Sequence, residues 1–158
     1  MQPIGYECFA HGTNVIPGIR RPLWVIGHYE TPCGGCDTIS KGTLDYVYET
    51  VREKHALDYH VMYEGLVVTS DTRRCAALHT DGLPLLVVAI DESIETCVAS
   101  VEARRRERGD ERPLNPRNTI SKYWATVSGM TRLQDEWGVD ARWLERKEAF
   151  DTIMGVLT

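Results

Sequence analysis

The sequence predicts an α/β fold, a three-layer sandwich around a mostly parallel sheet. Three observations predict it. Compact apolar runs rich in β-formers, "PLWVIGHY" (22–29), "YHVMYEGLVV" (59–68) and "LPLLVVAI" (83–90), alternate with stretches of helical period. Turn formers crowd the ends of the runs, as in "ETPCGGCD" (30–37). The full order is strand, helix, strand, helix, strand, helix, helix, strand, helix, a rhythm that favours parallel strands with crossover helices.

Taken in order, residues 1–21 contain Gly5, Gly12, Pro17 and Gly18 and read as a loop or short hairpin. The strand at 22–29 follows. Leu44, Val47, Tyr48 and Val51 share one face of a helix over 43–56. After the strand at 59–68, Thr69, Ser70 and Asp71 are candidate caps for a short helix, "TRRCAALHTDG". The run at 83–90 reads as the clearest buried strand. Asp91 or Ser93 then caps a helix over 93–108 with Ile94, Cys97, Val98 and Val101 as its stripe. Asn118 or Thr119 caps the next, with Ile120, Trp124, Val127 and Met130 on the apolar side. A strand at 139–145 and a helix at 147–157 complete one domain spanning 1–158.

A chain of 158 residues can bury a sizeable core. Its net charge of −5 argues against a general nucleic-acid coat, which rests on a basic surface. No apolar run is long enough to cross a bilayer. The start, "MQPIGYECFAHG", lacks the basic and apolar regions of a signal peptide, so a cytoplasmic location is expected. Five cysteines, Cys8, Cys33, Cys36, Cys75 and Cys97, fit reduced thiols better than a disulfide framework.

Against that acidic balance, "RRRERGDERPLNPRNT" (104–119) holds six arginines in sixteen residues. Guanidinium forks bind phosphate oxygens in pairs and offset charge in phosphoryl transfer. Gly109, Pro113 and Pro116 break regular structure, so 104–118 reads as a lid between two helices. The plainer reading is that Glu102, Glu107, Asp110 and Glu111 neutralise these arginines in surface pairs worth little stability.

In parallel α/β folds ligands sit beyond the carboxyl ends of the strands. The first such end supplies His28, Tyr29, Glu30, Gly34, Gly35 and Asp37 as a small-molecule pocket. The second supplies Glu64, a carboxylate suited to hold magnesium or take a proton from a hydroxyl nucleophile. Cys33 and Cys36 form a C-x-x-C pair. Zinc there would need two more ligands from Cys8, His11 or His28, since no second pair exists.

"RPLWVIGHYETPCGGCDTI", "YEGLVV" and "RGDERPLNPRNT" resemble the later parts of phage-type P-loop kinases, including those proposed to phosphorylate 5-hydroxymethyluracil in DNA. The resemblance covers about residues 22–158. It implies a P-loop-kinase-like core and transfer of the γ-phosphoryl of ATP or GTP, with magnesium, to a nucleoside, nucleotide or modified DNA base. It makes Arg104, Arg105, Arg108, Arg112 and Arg117 nucleotide-binding lid arginines, with Arg104, Arg108 and Arg112 assisting catalysis beside Glu64. It places Glu64 at the metal and the acceptor against His28, Tyr29, Glu30, Gly34, Gly35 and Asp37.

The chain departs from that family in one respect: it contains no G-x-x-x-x-G-K-[ST], the loop that cradles phosphates. "GCDTISKGT" has Gly, Ser and Lys in another order. Two expectations follow. Either the reading frame starts at an internal Met and omits about twenty-five residues, one strand–loop–helix unit, or a short protein kept the sheet and lid and binds phosphate without catalysis. In both, the N-terminal twenty residues or another subunit would cover the sheet edge left open.

Overall fold

The computed structural model describes residues 5–8, 18–27, 35–36, 39, 41–65 and 71–158. Strand β1 (Gly5–Cys8) runs antiparallel to β2 (Leu23–Ile26), and β2 runs parallel to β3 (His60–Tyr63). Helix α1 (Leu44–Ala56), entered through a 3-10 turn at Lys41–Thr43, makes the β2-to-β3 crossover. Helix α2 (Thr72–Thr80) leads to β4 (Leu86–Ile90). Helices α3 (Ile94–Glu107) and α4 (Arg117–Asp135) then connect β4 to its parallel partner β5 (Asp140–Leu144), and α5 (Arg146–Leu157) closes the chain.

The α/β class holds, and two of the three strand pairings are parallel, but the described strands do not join in one sheet. Among the described residues the strands form two short sheets, β1-β2-β3 and β4-β5. Strand pairing joins residues far apart in sequence, so local periodicity finds strands without finding their partners. The predicted loop or hairpin over 1–21 contains β1, and β1 covers the edge of β2 that the sequence leaves open.

One apolar core nonetheless spans both sheets. Ile26 of β2, Val47, Tyr48 and Val51 of α1, and Ala76 and Leu78 of α2 pack with Ala89 of β4, Met130 and Leu133 of α4, and Ala141 of β5. A smaller cluster joins Leu23 and Val25 to Leu157 of α5. Helix α1 buries the face its spacing predicts. Helix α3 buries no residue fully; Ile94, Cys97, Val98 and Val101 are half-covered, and the helix lies on the outside.

Four boundaries differ from the sequence reading. The strand expected at 83–90 begins only at Leu86, and its last residue, Ile90, is exposed. The strands expected at 22–29 and 59–68 are found as Leu23–Ile26 and His60–Tyr63; residues 28–29 and 66–68 lie outside the described residues. Helix α4 starts at Arg117 behind Pro116, with no side-chain cap from Asn118 or Thr119. The fixed φ of proline suits a helix start and loses no needed donor. Trp124, assigned to the core side, is 57% exposed. It lies six residues from the fully buried Met130, about 120° around the helix.

Two caps match the sequence. Ser93 accepts from the Thr96 amide at the head of α3, at 3.1 Å. Asp71 accepts from the Arg74 amide at 3.3 Å, and Arg74 ties Asp71 to Asp45 of α1 through ion pairs of 2.7 and 2.6 Å. Asp71→Ala is expected to cost about 1 kcal/mol and to lower Tm by about 2–4 °C, checked by thermal melts followed by circular dichroism. No helix among the described residues is long and apolar enough to cross a membrane.

Candidate active site

The strand ends form a first cluster. Just beyond β3, the Glu64 carbonyl accepts from the Cys36 amide at 2.8 Å. The Cys36 thiol is buried and donates to the Ile26 carbonyl at the end of β2, at 3.4 Å. Gly35 and Cys36 therefore pin the carboxyl ends of β2 and β3 together. Gly35 has φ +77°, and a Cβ there would run into the Glu64 carboxylate. Only glycine meets both conditions without strain. Two of the predicted site residues, Gly35 and Glu64, are thus neighbours. His28, Tyr29, Glu30, Gly34 and Asp37 lie outside the described residues, as do Cys33 and His11 of the zinc alternative. Among the described residues no group of three or more His, Cys, Asp or Glu side chains is arranged to hold a metal.

Beneath this floor sits a polar cluster that the sequence reading missed. Tyr48 of α1 meets Tyr63 of β3 edge to face, with centroids 6.2 Å apart. The Tyr63 hydroxyl lies 4.0 Å from the Cys75 sulfur of α2. Burial pushes the Tyr48 and Tyr63 hydroxyls and the Cys75 thiol up from their ordinary values. All three are protonated at neutral pH, so none is a ready base or nucleophile. The Tyr48 hydroxyl is buried with no hydrogen-bond partner among the described residues. Three aromatic or sulfur side chains at core spacing carry no sequence signal that separates this cluster from plain packing.

The arginine segment forms a second cluster. Helix α3 ends in a Schellman turn: the Gly109 amide donates to the Arg106 carbonyl at 2.9 Å, and the Asp110 amide to the Arg105 carbonyl at 3.0 Å. Gly109 takes the required left-handed φ of +74°. The turn swings Asp110 back toward the helix. Arg105 continues the half-buried stripe of Ile94, Val98 and Val101, so its guanidinium meets that carboxylate through Nε at 3.0 Å and Nη2 at 2.7 Å. Arg112 grips the same carboxylate from the other side, through Nε at 2.8 Å and Nη2 at 2.9 Å, and adds its backbone amide at 3.2 Å.

Two guanidinium forks converging on one carboxylate form an anion site with Asp110 as the anion. Arg112 first, then Arg105, hold the Asp110 carboxyl well below the usual carboxylate range. It stays ionised through the neutral and mildly acidic range and loses its charge only far below the ordinary Asp value. The site opens into a pocket of about 400 Å³ whose walls include Glu102, Arg105, Arg106, Asp110, Arg112 and Leu114. Arg106 pairs with Glu102 at 3.4 Å. Arg104 donates to the Ser100 carbonyl at 3.3 Å. Arg108 caps α3, and Arg117 is the first residue of α4. Of the five predicted lid arginines, Arg105 and Arg112 converge; Arg104, Arg108 and Arg117 do not line that pocket, and neither do Gly35 and Glu64. The plainer expectation, ion pairing with Glu102 and Asp110, also describes part of this segment.

A protein of Pseudomonas phage PaMx11 named "5-hmdU DNA kinase" is 42% identical to this chain over 137 residues, covering 86% of this chain and 71% of that protein. The chain belongs to this phage 5-hmdU DNA kinase family. The matched span is long enough to take in both the strand ends and the arginine segment, whichever end of the chain it leaves out. No protein-family model matches the chain, and no solved structure matches it.

Proposed function

We propose that this chain carries the phosphoryl-transfer site of a kinase acting on the hydroxymethyl group of 5-hydroxymethyl-2′-deoxyuridine in DNA, with ATP or GTP as donor. The kinship with a named 5-hmdU DNA kinase carries the reading. The approach of Gly35 to the Glu64 carboxylate supports it. A hydroxyl acceptor needs a nearby proton acceptor more than it needs covalent help.

In this reading the hydroxymethyl oxygen attacks the γ-phosphorus. A new O–P bond forms, the bond to the β–γ bridging oxygen breaks, and the nucleoside diphosphate leaves. Glu64 takes the proton of the attacking hydroxyl. Arg105 and Arg112 exchange Asp110 for phosphate oxygens, which present the same bidentate geometry with more charge. Asp110 is thus a stand-in anion, and the donor set around it fits a nucleotide phosphate. Glu64, an exposed carboxylate, would help hold magnesium, which would offset charge on the phosphates. Gly35 and Glu64 do not line the arginine pocket, so this reading requires a closure that brings the two together, of the kind that excludes water from transfer sites.

The test uses the purified chain, γ-labelled ATP and paired oligonucleotides that differ only by 5-hydroxymethyluracil or thymine at one position. Label on the hydroxymethyl strand alone is the expected result. Nucleotide and DNA binding without transfer under any magnesium condition would replace this reading with a non-catalytic phosphate-binding protein.

A further inference from the structure

Exposed aromatic side chains among the described residues include Trp124 of α4 at 57%, Trp137 in the turn after α4 at 41% and Phe150 of α5 at 64%. Isolated exposed apolar residues are ordinary, so their surroundings decide. Trp137 follows Asp135 and Glu136, and the cations one turn from Phe150, Arg146 and Lys147, are paired with Glu92 and Asp151. Trp124 differs. From Pro113 to Gln134 the chain has three Lys or Arg and no Asp or Glu, within a protein of net charge −5.

The face of α4 around Trp124 is open. Ser121 and Ser128, one turn to either side, are small and exposed. Arg117, two turns back and about 10 Å along the axis, lies on the same side and is exposed. Among the described residues neither Arg117 nor Lys122 has an acidic partner, whereas Arg105, Arg106 and Arg112 do. Tyr123 meets Trp124 edge to face at 5.4 Å with the rings at 90°. That contact holds the indole while leaving most of its surface to solvent.

We propose that Trp124 is a stacking platform for an unpaired base of a DNA strand, with Arg117 on a neighbouring phosphate. This rests on the DNA reading above and adds a substrate-contacting residue to it. Charge complementarity chooses the occupant. A polyanion is attracted to Arg117 and Lys122 on this helix more than to the paired cations beside Phe150 or to the carboxylates that precede Trp137. A second copy of the chain would set the same basic face against itself, since a two-fold interface is self-complementary. Stacking on an aromatic side chain suits any base and needs it unstacked from its neighbours, as chemistry on a base in a duplex also does.

Fluorescence anisotropy of a short fluorescein-labelled oligothymidylate, at low salt and without nucleotide, tests the platform on the full chain. Trp124→Ala is expected to weaken binding about tenfold or more, with Trp124→Phe within about threefold of the unsubstituted chain. Trp137→Ala is expected to bind unchanged. Arg117→Ala is expected to lower the salt slope by about one.

Binding of Trp124→Ala within about twofold of the unsubstituted chain, or an equal loss in Trp137→Ala, overturns the proposal. So does failure of the unsubstituted chain to bind the strand, or a Trp124-dependent dimer with no effect on DNA. Transfer to hydroxymethyl DNA with kcat/KM unchanged in Trp124→Ala sinks the platform and leaves the kinase reading standing. Trp124-dependent binding without transfer does the reverse.

Discussion

Arg112→Ala is expected to lower the rate of phosphoryl transfer by about a hundredfold to a thousandfold, the scale of losing one preorganised donor to transition-state charge. Arg112 brings three donors to one small region: Nε, Nη2 and its backbone amide, all on Asp110. Arg105 reaches the same carboxylate and is expected to behave alike. Glu107→Ala, an exposed residue in the last turn of α3, is expected to stay within about threefold, as surface substitutions usually do.

Asp110→Asn supplies the opposite sign. It removes the charge that competes with phosphate, so nucleotide affinity is expected to rise about threefold or more, the range of one weak exposed pair. Titration with ATP at fixed salt reads both changes. Equal and small effects of Arg112→Ala and Glu107→Ala on transfer would return the whole segment to surface ion pairing.

Gly35→Ala is expected to cut kcat about a hundredfold, because a displacement of about 1 Å at a reacting group has that effect. The added methyl collides with the Glu64 carboxylate, and φ +77° is a conformation that costs an L-residue about 1–2 kcal/mol. Both strains act where the Cys36 amide joins the Glu64 carbonyl, so the carboxylate moves while the rest of the core stays packed. Thermal melts should show a fall of a few degrees only, about 2–4 °C for each kcal/mol in a chain of this size. Glu64→Gln is expected to lose transfer without that loss of stability. A Gly35→Ala protein with normal kcat would remove Glu64 from the reaction.

The helices were legible because their signal is local. Val47, Tyr48 and Val51 repeat at helical spacing, and Asp71 and Ser93 are good cap residues where caps are needed. The split into two sheets was not legible, since β2 pairs with β1 and β3 but carries nothing in its four residues that names a partner. Trp124 was misassigned for a related reason. Its spacing from Ile120 and Val127 suits an apolar stripe, but that stripe is anchored on Met130 and Leu133, and Trp124 falls off its edge.

At the site, Glu64 and Gly35 could be picked out as residues at strand ends. Their mutual approach depends on a return of the chain after β2 that no short motif encodes. Asp110 was legible only as a charge. Its placement between two guanidinium groups follows from the Schellman turn at Gly109, a geometry that needs the folded helix end.

The most direct measurement is the site of phosphorylation. DNA containing 5-hydroxymethyluracil is incubated with the chain, ATP and magnesium, digested by nuclease to 5′-mononucleotides without phosphatase, and examined by mass spectrometry. A hydroxymethyldeoxyuridine carrying one added phosphoryl group on its hydroxymethyl oxygen is the predicted product, with thymidine unmodified. Phosphate found only on strand ends or on free nucleotides, or unmodified hydroxymethyldeoxyuridine beside intact nucleotide binding, would contradict the assignment.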